Sequence, residues 1–547
     1  MATAAKLPTY GSDLFEYTSG RFLFNEPARM RERQSLFCPS ELSNAICHAL
    51  NRDRADVESV DKFAEGGFNR IIQATFKDGF KILARLPFNM EAPLRHSVAS
   101  EAATLTFLRA QGLPVPKVYG YSPLSDNPVK TPYILLEKME GRSLGDEWFS
   151  LPNKTLMKVM KQLLALEKKL LAIQLPAYGS LYFGHDLPSG NPGISLGPSL
   201  QGEGELVVGP SAAYAWWYRE RAALEVDRGP WTDFQSCFEA VAKREIAFCK
   251  QYGKPRHDVE PSLRELQGFK LQEPQRHANL LNDYLKITPG LSINDDHRFA
   301  RPTLRHPDFS PSNILVNDEY DIVGIIDWQH TVILPLALCA GIPKHYQNWG
   351  DLVSETLQRP DTKLPDNFDT LDEDAQNEAR ETMRKRLVHF YYGALTLKLS
   401  ETHFDALRDE NVMLRAKLFD RASAPWEGNS LELEHILIEV VRRWPMAIDE
   451  EDSTAQHNDH NAPVQYNDHQ IDSCLKAIAL QEEKEQELEE MREVIGIDSQ
   501  GWVPNDERLE QAKQVRDLIK QKLLEECTTE QERIAIRDHF SFDDHAE

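Results

Sequence analysis

The sequence of 547 residues has few cysteines, a deficit of positive charge and no long apolar run. Its seven cysteines (Cys38, Cys47, Cys237, Cys249, Cys339, Cys474 and Cys527) are scattered, and no two form C-x-x-C. This excludes a disulfide-dense secreted framework and points to a reducing, intracellular compartment with free thiols. Lysine and arginine total 62 against 86 aspartates and glutamates, so the net charge is −24. The isoelectric point lies near 5.2. A chain this acidic is not expected to wrap nucleic acid or to sit on an anionic membrane. Nothing approaches the roughly twenty apolar residues that a spanning helix needs, so no integral membrane segment is expected. The opening M-A-T-A-A-K-L-P-T-Y reads as neither a secretory signal nor an Arg-rich amphipathic presequence.

What the sequence does contain is concentrated between Leu304 and Gln329: L-R-H-P-D-F-S-P-S-N-I-L-V-N-D-E-Y-D-I-V-G-I-I-D-W-Q. Two short apolar runs, Ile314–Val316 and Ile322–Ile326, flank the polar turn Asn317-Asp318-Glu319-Tyr320-Asp321. The pattern predicts a β-hairpin. Its outer ends then bring Asn313 and Asp327 together, with Asp308 on the loop just before. Phosphoryl transfer needs a carboxylate to orient the attacking hydroxyl and take its proton. It also needs oxygen ligands to hold Mg²⁺ against nucleotide phosphates. The spacing H-x-D-x-x-x-x-N, followed by an aspartate after a strand, matches the catalytic and metal loops of the kinase fold. Asp308 is therefore the expected base, and Asn313 and Asp327 the expected Mg²⁺ ligands. The plainer alternative is an Asx-rich turn beside a buried hairpin.

Upstream, Val57–Phe63 and Arg70–Phe76 alternate as strands around Glu65-Gly66-Gly67-Phe68-Asn69. Gly66 and Gly67 let backbone N–H groups approach a phosphate, or simply make a hairpin turn. No G-x-G-x-x-G is present. The third strand, Phe80–Leu86, offers Arg85 as the phosphate-holding cation, with Lys81 second. A helix over Val98–Ala110 offers Glu101 as its partner. A surface ion pair is the alternative for these two. Leu113–Val118 leads into a strand. Tyr133–Met139 is another, closed by Glu140-Gly141, where a kinase-like chain crosses between lobes. Main-chain adenine contacts are placed there, from Glu137 to Met139.

A helix is predicted over Pro39–Leu50 with Ser40 as N-cap. Another spans Asn153–Gln174, with Leu156, Val159, Met160, Leu163, Leu164, Leu166 and Leu170 as core. The Gly/Pro/Ser-rich stretch from Leu175 to about Val208 reads as a long loop. A helix is predicted to begin at Tyr214–Arg219, in an aromatic patch that lines a pocket or packs under the loop. Helices follow over Phe234–Tyr252 and Pro274–Leu285, and a short buried one after Asp327. The region Glu373–Leu418 reads as helical, with Tyr391, Tyr392, Leu395 and Leu397 as core. Residues 448–470 are acidic; His457, His460 and His469 read as a solvated loop and not a metal site. The charged end, Ile471–Val494 and Asp506–Glu526, reads as helices with a solvated face or a partner-binding one.

With those residues in view, the chain resembles the aminoglycoside phosphotransferase-like family of the kinase fold, and within it the fungal altered inheritance of mitochondria protein 9 subfamily. The resemblance rests on E-Y-T-S-G-R-F-L, G-G-F-N-R, K-I-L-A-R-L-P, E-A-A-T-L-T-F-L, L-P-V-P-K-V, Y-G-S-L-Y-F, D-R-G-P-W, H-P-D-F-S-P-S-N-I-L-V and I-I-D-W-Q-H. It implies an α+β, two-lobed fold: a small antiparallel β lobe, a large mainly helical lobe and a helical C-terminal extension. It implies ATP and Mg²⁺ as cofactors and a mitochondrial address, or the cytoplasm if no import signal operates; it does not supply the acceptor, which is expected to be a small hydroxylated molecule. The acidic balance favours a cationic acceptor such as an amino alcohol or amino sugar. The expected organisation is an N-terminal extension (1–55), a small nucleotide-binding lobe (56–139), a large lobe (140–445) with an insertion near 175–300, and an acidic loop and helical tail (446–547). Arg on the third strand and the missing A-P-E segment argue against a protein kinase. The rival function is a catalytically weak kinase-fold scaffold, its C-terminal helices binding a protein partner.

Overall fold

The computed structural model describes residues 12–88, 94–191, 193–197, 204–361, 363–444 and 461–545. The N-terminal sheet forms because short β-branched and aliphatic runs alternate about tight turns. Its five strands run in the order Val57–Glu65, Asn69–Phe76, Lys81–Pro87, Tyr133–Glu137, Val118–Ser122, and every neighbouring pair is antiparallel. The helix Leu94–Ala110 packs on this sheet and starts four residues before the predicted Val98. Ile72, Ala74, Phe76, Ile82, Ala84 and Leu86 bury one sheet face against Leu42 and Ile46 of the helix Pro39–Leu50. Cys38, not Ser40, takes that helix's N-cap position. Pro39 opens the first turn, where its missing N–H costs nothing.

Chain segment 12–37 is bound to the same sheet. Arg70, fully buried, donates to the carbonyl oxygens of Leu14 (3.0 Å) and Arg33 (3.2 Å) and pairs with Glu65 at 2.8 Å. Glu65 in turn accepts from the Thr18 amide at 2.9 Å.

Gly141 carries the chain into the helical lobe. Its φ is +109°, and a Cβ there would lie 2.9 Å from the Val316 carbonyl oxygen, so only glycine serves. The helix Asn153–Leu171 buries Leu156, Val159, Met160, Leu163, Leu164 and Leu170, while Leu166 is half-buried against them. Helices Phe234–Gln251 and Pro274–Leu291 pack together in a second core with Leu336, Leu418 and Ile436. The latter helix runs past the predicted end at Leu285. Helices Glu373–Leu399, Glu401–Arg408 and Glu410–Ser423 cover the predicted helical region. Tyr392 is buried and Tyr391 and Leu395 pack beside it, but Leu397 is exposed on the outer face.

Two predictions fail on local grounds. The stretch from Leu175 is not a bare loop: Ser180–Phe183, Leu206–Gly209 and Ile194–Ser195 form a three-stranded antiparallel sheet. Ser180–Phe183 and Leu206–Gly209 are buried throughout, so they lack the alternation that marks a half-exposed strand. Tyr214–Arg219 does not open an α-helix. It forms two short 3-10 turns, Tyr214–Trp216 and Arg219–Ala223, and Arg219 itself has φ 52°, which no α-helix tolerates.

Helices Asp468–Ile495, Asp506–Glu526 and Glu530–Asp538 form the tail. It returns to the N-terminal segment, where Arg21–Phe22 pairs antiparallel with Trp502–Val503. Leu23, Leu488, Val503, Leu509, Phe540 and Phe542 close a separate small core there. Gly20 of E-Y-T-S-G-R-F-L is fixed by this contact, since a Cβ would overlap the Trp502 indole at 2.0 Å. His457 and His460 lie outside the described residues, and His469 is exposed at the start of the first tail helix. Among the described residues, no group of three or more His, Cys, Asp or Glu is placed to hold a metal, and no helix is long and apolar enough to cross a membrane.

Candidate active site

The stretch from Leu304 to Gln329 folds as its pattern predicts. After the strand Pro302–Leu304 comes the loop with His306 and Asp308, then a 3-10 turn over Pro311–Asn313. Strands Ile314–Val316 and Ile322–Ile325 pair antiparallel, Ile314 opposite Ile325. The amide of Ile326 donates to the Asn313 carbonyl at 2.9 Å, so the hairpin ends close on each other. Asp327 follows with φ 66° and His330 with φ 64°. Left-handed conformations at non-glycine residues are costly and gather at functional sites.

His306 ties the two loops together. It is buried, with its Nε2 2.9 Å from the Ile326 carbonyl oxygen, and its Nδ1 accepts from the Asp308 amide at 3.1 Å. These partners require the neutral tautomer with the proton on Nε2. Burial lowers its pKa to about 4, against the raising effects of the Ile326 hydrogen bond and Asp327. Trp328, fully buried, meets its ring at 4.5 Å between centroids.

Asp308 presents an exposed carboxylate. Asn313 donates its Nδ2 to Asp308 Oδ2 (3.1 Å) and to the Asp308 carbonyl (2.9 Å), and Ser310 Oγ donates to Oδ2 at 3.3 Å. The other oxygen, Oδ1, lies 3.5 Å from His345 Nε2. Asn313 thus spends its amide nitrogen on Asp308, and its amide oxygen is the atom left for a hard cation.

Arg85 comes from the sheet and Glu101 from the helix behind it, and both are almost fully buried. One guanidinium nitrogen holds Glu101; the other reaches Asp327 Oδ1 at 2.5 Å and Gln329 Oε1 at 2.7 Å. Burial pushes the Arg85 guanidinium down, but Glu101 and Asp327 outweigh it and hold it above the ordinary value. Arg85 in turn outweighs burial at Asp327 and keeps that carboxyl below the usual range. A single ammonium cannot span these three partners as the planar guanidinium does.

Other members of the site were not singled out from sequence. Gln329 also donates to Ser97 Oγ at 2.9 Å, and its amide meets that of Asn69 at 2.7 Å. Asn69 and Gln329 therefore join the sheet to the loop that follows Asp327. Phe68, at the tip of the glycine turn, sits edge-on against Tyr214 and His330 with centroids 5.9 and 6.2 Å apart. Gln329 and His330 are contiguous with Asp327 in I-I-D-W-Q-H, which is the one sequence signal that marks them. His345 carries no such signal.

Gly66 and Gly67 lie at the hairpin turn with nothing within 4 Å of a Cβ and no left-handed φ. Chain geometry does not demand glycine at either. Glu137 ends its strand with its amide on the Lys117 carbonyl (2.8 Å) and its carboxylate turned to Arg109 (2.6 Å). It is not brought to Asp308. Met139 is half-buried, its sulfur near Gly324 of the catalytic hairpin. Trp216 belongs to packing beside Trp231, while Tyr214 reaches the cleft, so the aromatic patch divides between the two readings.

Residues 63–338 match the model of the phosphotransferase enzyme family. A subtelomeric hrmA-associated cluster protein of Aspergillus fumigatus is 31% identical over 483 residues, covering 82% of this chain and 89% of the relative. Altered inheritance of mitochondria protein 9, mitochondrial, of Candida albicans is more distant, at 23% over 566 residues, covering 90% of this chain and 84% of its own length. Among solved structures, APH(2")-IIia with GDP and kanamycin is similar at 16% identity and TM-score 0.33, over 82% of this chain and 99% of that one. A thermostable mutant of APH(4)-Ia with AMP-PNP and hygromycin B is similar at 14% and TM-score 0.32, over 71% and 100%.

Proposed function

The chain belongs to the phosphotransferase enzyme family, and from that premise we propose that it transfers the terminal phosphoryl group of ATP to a hydroxyl of a small acceptor. Support comes from one convergence above all: Asp308, Asn313 and Asp327 meet at the ends of one hairpin while Arg85, held by Glu101, reaches the same carboxylate. Asp308 Oδ1, which neither Asn313 nor Ser310 occupies, would orient the acceptor hydroxyl and receive its proton. Asn313 anchors the other oxygen, so the carboxylate is aimed before substrate arrives. Asn313 and Asp327 supply an amide oxygen and a carboxylate, the hard ligands that suit Mg²⁺. Bound Mg-ATP would supply the phosphoryl group and charge neutralisation at the transferring oxygens. Arg85 would grip phosphate oxygens, and Gly66 and Gly67 would give the backbone room to approach them. Main chain at Glu137 to Met139 would meet the adenine edge. A small hydroxylated amine is the acceptor class to screen first, because the chain carries a net charge of −24. The name of the Candida relative extends the proposal to a mitochondrial setting, which imaging of a tagged full chain would test.

A second reading is a kinase-fold binding protein without turnover. It is favoured by the grip of Arg85 on Asp327, an ion pair that competes with Mg²⁺ for the same carboxylate. Thermal melts with Mg-ATP separate the readings. A metal-dependent rise in wild type, lost in Asp327→Ala, supports the nucleotide site. Asp308→Ala should keep that rise and lower turnover on the responding acceptor by orders of magnitude. No rise at saturating nucleotide would overturn the phosphotransferase reading.

A further inference from the structure

A mostly apolar cavity of about 240 Å³ lies within the helical lobe. Trp216, Trp231, Val241, Ile333, Leu338 and Phe419 build its wall from stretches far apart in the sequence. Trp216 and Trp231 meet at 5.5 Å between ring centroids. Asp308, Asn313, Asp327 and Arg85 are not among the lining residues. Two charged side chains are. Asp420 stands at the solvent edge, its side chain 73% exposed. Arg244, from the helix Phe234–Gln251, is fully buried.

The partners of Arg244 occupy one of its three nitrogens. Nη2 donates to the Ser423 carbonyl at 2.5 Å and approaches Glu245 Oε2 at 3.4 Å. The guanidinium carbon lies 4.9 Å from the centroid of the Trp216 ring. Nε and Nη1 are buried and have no hydrogen-bond partner among the described residues. Glu245 is not available to them. Its Oε2 accepts from Arg221 Nε at 2.8 Å, and its Oε1 takes Arg221 Nη2 and the Trp426 amide, the latter at 2.7 Å. Arg221 and Arg244, both buried, thus share one buried carboxylate. Burial draws the Arg244 guanidinium down to about 10, against the pull of Glu245, so it is still protonated at neutral pH. Buried donors of this kind are rare and gain most from an acceptor that reaches them.

We propose that this cavity binds a small monocarboxylic acid with an aromatic or aliphatic body, its carboxylate on the guanidinium of Arg244 and its body against Trp216, Trp231 and Phe419. A cavity of about 150 Å³ lined by aliphatic and aromatic side chains holds benzene. This one is larger by enough to take a carboxylate beside a ring. A hydrogen bond from a charged donor to a charged acceptor is stronger than a neutral one, and the ligand's charge balances the second guanidinium. The apolar wall disfavours a sugar or inorganic phosphate, and the guanidinium disfavours an amine. The site does not depend on the phosphotransferase reading. It lies behind one wall of the cleft: Ser211 and Ala213 line the cavity, while the Ala212 carbonyl between them meets His330 Nδ1 at 3.0 Å.

The test is calorimetric titration of the full chain with sodium phenylacetate at pH 7 and constant ionic strength. Wild type should bind saturably, with Kd about 1 mM or tighter. Phenylacetamide keeps the ring without the charge, and acetate keeps the charge without the ring. Each should bind roughly tenfold or more weakly. Ala416→Phe puts a ring into the cavity from the helix Glu410–Ser423 and should abolish binding with Arg244 still in place. Arg244→Met should weaken binding roughly tenfold or more. Arg85→Gln, which alters the cleft, should leave it unchanged. No saturable heat in wild type would overturn the proposal, as would binding lost in Arg85→Gln but kept in Ala416→Phe. Phenylacetamide binding as tightly as phenylacetate would remove the role of Arg244, and acetate doing so would remove that of the apolar wall. Hydrogen exchange on wild type keeps the test decisive if a variant misfolds. Phenylacetate should slow exchange within 211–216 and 416–423, and slowing confined to 304–329 would refute the site.

Discussion

Replacing His306 with Phe tests the link between the Asp308 and Asp327 loops. The substitution keeps a flat ring against Trp328 and Phe309 but removes both nitrogens. Two hydrogen bonds are lost, one to the Ile326 carbonyl and one from the Asp308 amide. At about 0.5–1.5 kcal/mol each, the loss at pH 7 is about 1–3 kcal/mol. Acid changes the comparison. The imidazole titrates at 6.5 ordinarily and at about 4 in the folded chain. The unfolded state therefore binds more protons between those values, so the contribution of neutral His306 is present above pH 6.5 and lost as pH falls toward 4. The full difference corresponds to about 3.4 kcal/mol, of which about 2 kcal/mol is gone by pH 5. Phenylalanine does not titrate. Urea denaturation of both proteins at pH 7 and pH 5, followed by fluorescence, should therefore show a stability gap that narrows by about 2 kcal/mol in acid. A gap of equal size at both pH values would refute the buried, neutral imidazole and with it the tie between the loops.

Arg85→Lys keeps the charge but loses the fork that reaches Glu101, Asp327 and Gln329 together, so Mg-ATP affinity should fall roughly tenfold or more by calorimetry. Glu167→Gln removes the charge that holds buried Arg305, an arginine that also contacts the Tyr392 hydroxyl at 2.8 Å. Breaking a buried pair from one side costs about 3–5 kcal/mol; a loss under 1 kcal/mol in urea denaturation would show that Arg305 finds another partner. Gly20→Ala drives a methyl into the Trp502 indole and should separate the N-terminal segment from the tail. Faster hydrogen exchange at 21–23 and 501–503, with the sheet at 69–87 unaffected, is the expected signature.

The hairpin and the meeting of Asn313 and Asp327 at its ends were legible in the residues alone. Ile314–Val316 and Ile322–Ile325 are separated by one polar turn, so local hydrogen bonding alone brings Asn313 beside Asp327. The same holds for the sheet strands around Gly66 and Asp78-Gly79, where period and turn chemistry agree. Arg85 and Glu101 were legible as a pair because strand and helix are adjacent in the chain. Where burial erases periodicity, as in Ser180–Phe183 and Leu206–Gly209, the pattern is silent. Long-range packing set the remainder. Asn69 and Gln329 lie far apart in the chain, and nothing in either residue foretells that their amides meet. His345 reaches Asp308 from a loop beyond the catalytic stretch. Arg29, Arg264 and Arg492 share a cavity because the tail pairs with Arg21–Phe22 and folds back over Pro261–Gln267. Such long-range contacts depend on how whole elements close on one another, and no local pattern of residues encodes that distance.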